Sequence, residues 1–268
     1  MGSAGCQPAG FGSLPKPSNS GVTLGLRLPR CCRQGCRQLQ AGSLCSPENA
    51  RLVCYVVGAH DRAVRPASDF DRIASYLALW HSYDPAVKAE LYSTCLLTSD
   101  GACLIDPIPL ESGALDELVG SARVAGIIVT SSNHGRASAR FAEQFSVPIF
   151  APSETFPDKT PGKFRSVADG DEICDGLRVI GIEGAGPGEI ALYHPADNGT
   201  LIVGDALINF EPYGFTFLPA KYCSNEKVMR RSLRKLLDYK AERMLFAHGV
   251  PILSGARDRL QRLLDGDL

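Results

Sequence analysis

The chain has 268 residues, 44% of them hydrophobic, and its 28 Lys and Arg nearly balance its 29 Asp and Glu, for a formal net charge of −1. That length buries the core of one large α/β domain with an appendage and would cramp two full domains. No apolar run approaches the roughly eighteen residues a membrane helix needs, and a mildly acidic body lacks the concentrated basic face of a nucleic-acid binder.

Charge and cysteine are unevenly spread. Residues 1–60 hold six Lys or Arg against the single acid Glu48, and six of the ten cysteines, Cys6, Cys31, Cys32, Cys36, Cys45 and Cys54. Residues 1–47 are rich in Gly, Ser, Pro and Arg, lack any acid, and show neither the helical nor the strand period. The chain therefore divides into a disordered or spurious extension over 1–65 and a folded domain over 66–268. An Arg-rich, acid-poor start also leaves an organelle transit peptide open, but glycines and prolines interrupt an amphipathic helix, and a cytoplasmic protein is expected. The later Cys95, Cys103, Cys174 and Cys223 are far apart and read as buried free thiols of a reducing compartment.

Along the domain, Ser68 followed by Phe70, Ile73, Ala74 and Leu77 predicts a short helix running into a strand. Strands are predicted at Leu77 to Ser82, Glu90 to Thr98 and Ala102 to Ile108, the last two joined by the hairpin turn Ser99-Asp100-Gly101. Then the rhythm changes to β-α winding: a helix over 111–122, a strand over 124–130, a helix over 136–145 and a strand over 147–151. A second β-rich stretch covers 164–203, with strands at 177–182, 189–193 and 200–203. A loop of aromatics follows, with Phe210 to Phe217 either lining a pocket or covering a sheet end. A helix at about 225–238, a strand at 243–246 and a final helix at about 254–264 complete the chain. Hairpin strands followed by β-α units, given twice, predict an α/β (α+β) fold of two packed mixed sheets flanked by helices.

Chemistry in such folds collects on loops after strand ends. Four such places stand out: Leu104-Ile105-Asp106-Pro107, Ile128-Val129-Thr130-Ser131-Ser132-Asn133-His134-Gly135-Arg136, Leu201-Ile202-Val203-Gly204-Asp205, and Leu245-Phe246-Ala247-His248-Gly249. In order and spacing they resemble the metallo-β-lactamase superfamily, over about residues 76–265. The resemblance implies a four-layer αββα sandwich of hydrolase ancestry. It also exposes departures. Set on the family's Thr-His-x-His-x-Asp-His through Thr130, the ligand positions are Ser131, Asn133, Gly135 and Arg136. At Gly184-Ala185-Gly186-Pro187-Gly188, Ala185 stands where a ligand His belongs. Of the family's ligands, Asp205 and His248 remain.

Two readings follow. In the first, the metal centre is degenerate: Arg136 takes the metal's place beside Asp205, and Arg136, Asn133 and Asp106, with His134 at a helix start, form a metal-free pocket for a small anionic ligand. In the alternative, His134 turns inward, and His134, Asp205 and His248 hold one Zn, Fe or Mn ion for hydrolysis of an ester, thioester, lactone or phosphoester, with Asp205 and His134 as catalytic groups. The partner is a small molecule in both, with neither nucleic acid nor membrane. His60, His81 and His194 are assigned no chemistry.

Overall fold

The computed structural model describes residues 64–157 and 160–266. The readings for residues 1–63, including the extension, its cysteines and His60, lie outside the described residues. Within them, a seven-stranded sheet runs in the order β1 (Asp71–Ala74), β2 (Leu77–Asp84), β3 (Ala89–Thr98), β4 (Gly101–Ile105), β5 (Val124–Ile128), β6 (Ile149–Ala151) and β7 (Phe164–Ser166). Helices α1 (Ser112–Val119) and α2 (Ser138–Phe145) lie between its later strands in the chain. A five-stranded sheet has the order β14 (Arg243–Phe246), β11 (Thr200–Val203), β10 (Ile190–His194), β9 (Leu177–Gly181) and β8 (Glu172–Ile173). The other strands form a hairpin of β12 (Leu207–Phe210) and β13 (Gly214–Phe217), followed by α3 (Glu226–Leu233), which runs into a 3-10 turn over Arg234–Asp238, and by α4 (Ala256–Asp265). The pairs β4–β5, β5–β6, β6–β7 and β11–β14 are parallel and the others antiparallel, so both large sheets are mixed.

The layering follows from strand alternation, because successive side chains point to opposite faces. In β2, Leu77 and Leu79 face one apolar layer while Ala78 and Trp80 face another; in β4, Cys103 and Ile105 separate likewise from Ala102 and Leu104. In the second sheet, Val179, Ile202 and Leu245 join Leu77, Leu79 and Ile105 between the sheets. Ile180, Leu201 and Met244 turn outward to Met229 and Leu233 of α3 and Leu260 of α4. Leu115 of α1 and Phe141 of α2 cover the outer face of the first sheet. Three apolar layers therefore separate four layers of structure, the predicted αββα sandwich.

Two local expectations are corrected. The segment after Ser68 is not helical: Asp71 to Ala74 form an edge strand antiparallel to β2, with a bulge between Arg72 and Ala74. Ile73 and Ala74 pack on the layer between the sheets, so the spacing that suggested a helix is that of a short strand bent by one extra residue. The stretch from Phe210 to Phe217 is not a loop but the turn and second strand of the β12–β13 hairpin, whose Phe215 and Phe217 pack into the outer layer of the second sheet while Tyr213 is exposed at its tip. The four later cysteines are free thiols, three of them buried.

Trp80 is fully buried and its indole Nε1 donates to the Ile108 carbonyl at 3.0 Å, tying β2 to the turn after β4. Trp80→Phe keeps most of the apolar volume but orphans that carbonyl, and should lower stability by about 1–3 kcal/mol. Urea unfolding followed by circular dichroism should show a lower midpoint with an unchanged slope.

Candidate metal centre

The site lies at the carboxyl ends of the parallel pairs β4–β5 and β11–β14, where the chain leaves each sheet and backbone groups need side-chain partners. Asp106 follows β4, Thr130 follows β5, Asp205 follows β11 and His248 follows β14. Asp106, in the left-handed region at φ 47°, points its carboxylate at the neighbouring strand: Oδ1 accepts the Thr130 N–H at 2.8 Å and Oδ2 accepts the Thr130 hydroxyl at 2.5 Å. The loop then turns tightly, with His134 N–H donating to Ser131 O at 3.0 Å and Ser138 N–H to Gly135 O at 2.8 Å before α2 begins.

That turn carries His134 inward. Its Nδ1 lies 3.0 Å from Asp106 Oδ2 and its Nε2 3.1 Å from Asp205 Oδ1, with 1% of the side chain exposed. From the second sheet, His248 Nε2 approaches the same Asp205 oxygen at 3.3 Å. The other oxygen, Oδ2, accepts from Asn133 Nδ2 at 3.0 Å and from Ser131 Oγ at 3.3 Å. One ligand atom each from His134, Asp205 and His248 lies within 4.8 Å of the others.

Electrostatics matches this geometry. Burial opposes charge on Asp205, but His134 and His248 outweigh it and hold the carboxyl well below its usual range. For Asp106 the cost of burial is likewise overcome, by His134, Arg136 and Thr130. Burial disfavours a charged His134, yet the carboxylates of Asp205 and Asp106 push it up to about 10. His248, with 17% of its side chain exposed, is shifted downward by burial despite Asp205 and forms the open side of the site. Its position is set by the hairpin: Asn209 N–H donates to His248 O at 3.2 Å, and Val250 N–H to Asn209 O at 2.9 Å. Gly249, at φ 111°, has no room for a Cβ, which would stand 2.1 Å from Asn209 O.

The structure brings together His134, Asp205, His248, Asn133 and Asp106. Arg136 is the exception, because it does not stand beside Asp205 in the place of an ion. Its Nη1 donates to Tyr92 O at 2.6 Å and to Asp106 O at 3.0 Å, and its Nη2 to Ala247 O at 3.3 Å, so it ties carbonyls of both sheets together. The expectation failed because the loop turns at Ser131 to His134, which exchanges the inward positions of His134 and Arg136. Ala185 is buried in the outer apolar layer of the second sheet.

Sequence reasoning also passed over Glu189, which is 4% exposed and whose Oε1 accepts the Ala206 N–H at 2.9 Å. The usable signal was an acid directly before the apolar strand Ile190 to Leu192.

Solved structures with the same fold share little sequence with this chain. A metallo-β-lactamase from Pontibacter korlensis aligns with TM-score 0.58 at 17% identity, covering 74% of this chain and 98% of its own. A metallo-β-lactamase family protein from Thermus thermophilus aligns with TM-score 0.55 at 22% identity, covering 73% and 80%. A β-lactamase domain protein from Burkholderia ambifaria gives 0.56 at 18%, covering 74% and 76%. At such identities the likeness establishes the fold alone. No curated protein matches the chain. The sequence model of the metallo-β-lactamase superfamily, however, matches residues 71–266, and the chain belongs to that superfamily.

Burial and the field of Asp205 push the Glu189 carboxyl up to about 8 from an ordinary value of 4.5. Between those values the folded chain keeps a proton that the unfolded chain has released, so the stability this group contributes is full below about pH 4.5 and lost as pH rises to about 8. Glu189→Gln has no such proton. Its stability relative to the parent should rise across that window by up to about 1.4 kcal/mol per pH unit, read from urea midpoints at several pH values.

Proposed function

We propose that the chain is a mononuclear metal-dependent hydrolase in which His134, Asp205 and His248 hold one divalent ion, and whose substrate is an ester, thioester, lactone or phosphoester. The observation that carries this reading is the convergence of two imidazole Nε2 atoms on one carboxylate oxygen, at 3.1 and 3.3 Å. Donors about 2.1 Å from a shared ion in tetrahedral arrangement lie about 3.4 Å apart, and both nitrogen distances to Asp205 Oδ1 are near that, with all three ligand atoms within 4.8 Å of one another. Asp106, 3.0 Å from His134 Nδ1, supplies the carboxylate that fixes ring orientation in such centres. Two nitrogens and one oxygen suit Zn, Fe or Mn.

Such an ion would supply Lewis acidity toward a carbonyl or phosphoryl group and make hydroxide accessible near neutral pH. The chain's own residues do the rest. Asn133 and Ser131 hold Asp205 Oδ2, which leaves Oδ1 directed at the two histidines. Asp106 and Thr130 hold His134 from behind, and the exposed side of His248 is where substrate enters. With Ser131, Asn133, Gly135, Arg136 and Ala185 at the family's other ligand positions, one three-residue donor group, His134 with Asp205 and His248, is found among the described residues.

A second reading, a metal-free pocket for a small anion, draws support from the same cluster. His134 has a carboxylate at each ring nitrogen and holds its second proton up to about 10, so an imidazolium can supply the positive charge. With Arg136 committed to carbonyls, the anion would be met by His134 and His248. The free thiols support a reducing, cytoplasmic location in either case, and no helix among the described residues is long and apolar enough to cross a membrane.

Elemental analysis of chain purified without chelator decides between the two. About one ion per chain, lost in both His248→Ala and Asp205→Ala, with ester or phosphoester hydrolysis abolished by chelator and restored by Zn or Mn, is expected. Chain that stays metal-free after dialysis against Zn, Mn and Fe overturns the hydrolase. A melting temperature raised by millimolar acetate or phosphate, and not in His248→Ala, would then support the anion pocket.

A further inference from the structure

Glu189 is a buried acid that neither reading uses. Its Oε1 accepts the N–H of Ala206, the peptide immediately after Asp205. On the other side of Asp205, a Cβ on Gly204 would lie 2.7 Å from that same Oε1 and 2.7 Å from Thr130 Oγ1. The carboxyl is therefore wedged against the peptides before and after Asp205, and shares that space with the Thr130 hydroxyl that orients Asp106 and meets His134 Nδ1 at 3.0 Å. Glu189 is itself fixed from both sides: the Ile190 N–H donates to Thr130 O at 2.8 Å, and the Ile182 N–H to Glu189 O at 3.0 Å.

Its second oxygen, Oε2, is buried with no hydrogen-bond partner. Burying a carboxyl whose second oxygen is unsatisfied costs stability, and an apolar side chain of similar size would avoid that cost. A group kept at such expense, one peptide from the Asp205 carboxylate, is better explained by the site than by the core.

We propose that Glu189 is a positioning residue for Asp205, clamping the Gly204–Ala206 turn so that one carboxylate oxygen is presented to His134 and His248 together. The inference rests on the reading of Asp205 as the oxygen the two histidines share. It makes Gly204 and Glu189 a matched pair, since the missing Cβ at one position is the space filled by the carboxyl of the other. It also assigns Glu189 no direct contact with substrate.

The test uses the full chain labelled with ¹⁵N-histidine, following the imidazole nitrogens of His134 and His248 by NMR. Glu189→Met conserves volume, removes the acceptor and removes the unsatisfied oxygen, so it is expected to stay folded; Glu189→Gln keeps the acceptor. In Glu189→Met the Nε2 signals of both histidines should move toward those of Asp205→Asn, while Glu189→Gln should restore the parent positions. Gly204→Ala, which pushes the carboxyl away from the other direction, should reproduce the Met variant and serves if that variant does not fold. Parent-like signals in Glu189→Met overturn the proposal, whatever the metal content. Cobalt(II) titration adds an independent arm: affinity should fall about 10- to 100-fold in Glu189→Met and recover in Glu189→Gln. A parent that takes up no cobalt sinks the metal reading alone, because the imidazole signals still decide the role of Glu189.

Discussion

The site depends on the way a buried carboxylate, Asp205, is shared. Two imidazoles from opposite sheets meet one of its oxygens and two loop side chains meet the other, so four groups from two sequence-distant regions agree on one position. A carboxylate taken out of water keeps its charge only where both oxygens are compensated; otherwise it takes up a proton. Asp106 repeats the arrangement on the far side of His134, so the ring is trapped between two anionic groups. The surrounding fold is the support this needs: Asp106 and Thr130 on adjacent parallel strands of one sheet, Asp205 and His248 on adjacent parallel strands of the other.

Much of this was legible in the sequence, for identifiable reasons. Strands buried on both faces, such as those ending at Asp106, Asp205 and His248, give continuous apolar runs whose ends are sharp, so the residues that follow them are readable as site candidates. The hairpin at Ser99-Asp100-Gly101 was equally plain, since Gly101 adopts φ 128° and only glycine tolerates the Arg123 carbonyl that a Cβ would meet. What failed was local. The Phe70 to Leu77 spacing fits a bulged edge strand as well as it fits a helix, and the β12–β13 hairpin is aromatic on both arms with no strict alternation. Which of His134 and Arg136 points inward depends on a turn from Ser131 to His134 held by one backbone hydrogen bond, and no residue pattern encodes it. Glu189 was missed because its partner is a backbone N–H in the turn between β11 and β12, which leaves no trace in spacing.

Membership of the superfamily and retention of its chemistry are separate matters. The match over residues 71–266 places the chain in the family, while the group among the described residues that could hold an ion is three residues drawn from a loop and two strand ends. One of the three, His134, sits where the family pattern has a spacer. The second-sheet half of the cluster, Asp205 and His248, follows strand ends, and its first-sheet half is supplied by His134 from the turn after β5.

Arg136 shows how a position and its duty can part. It stands at a family ligand position but satisfies three backbone carbonyls, one of them from the second sheet. Returning it to histidine would leave Tyr92 O without its donor and take one of two donors from Asp106 O and from Ala247 O, which Ser93 Oγ and the Tyr92 N–H still reach, at about 1–3 kcal/mol for the carbonyl left unpaired, against a total stability of about 5–15 kcal/mol for a domain of ordinary size. A residue with such a structural duty acts as a ratchet tooth. Any change at Arg136 is weighed against the join between the two sheets before it is weighed against the chemistry of the site.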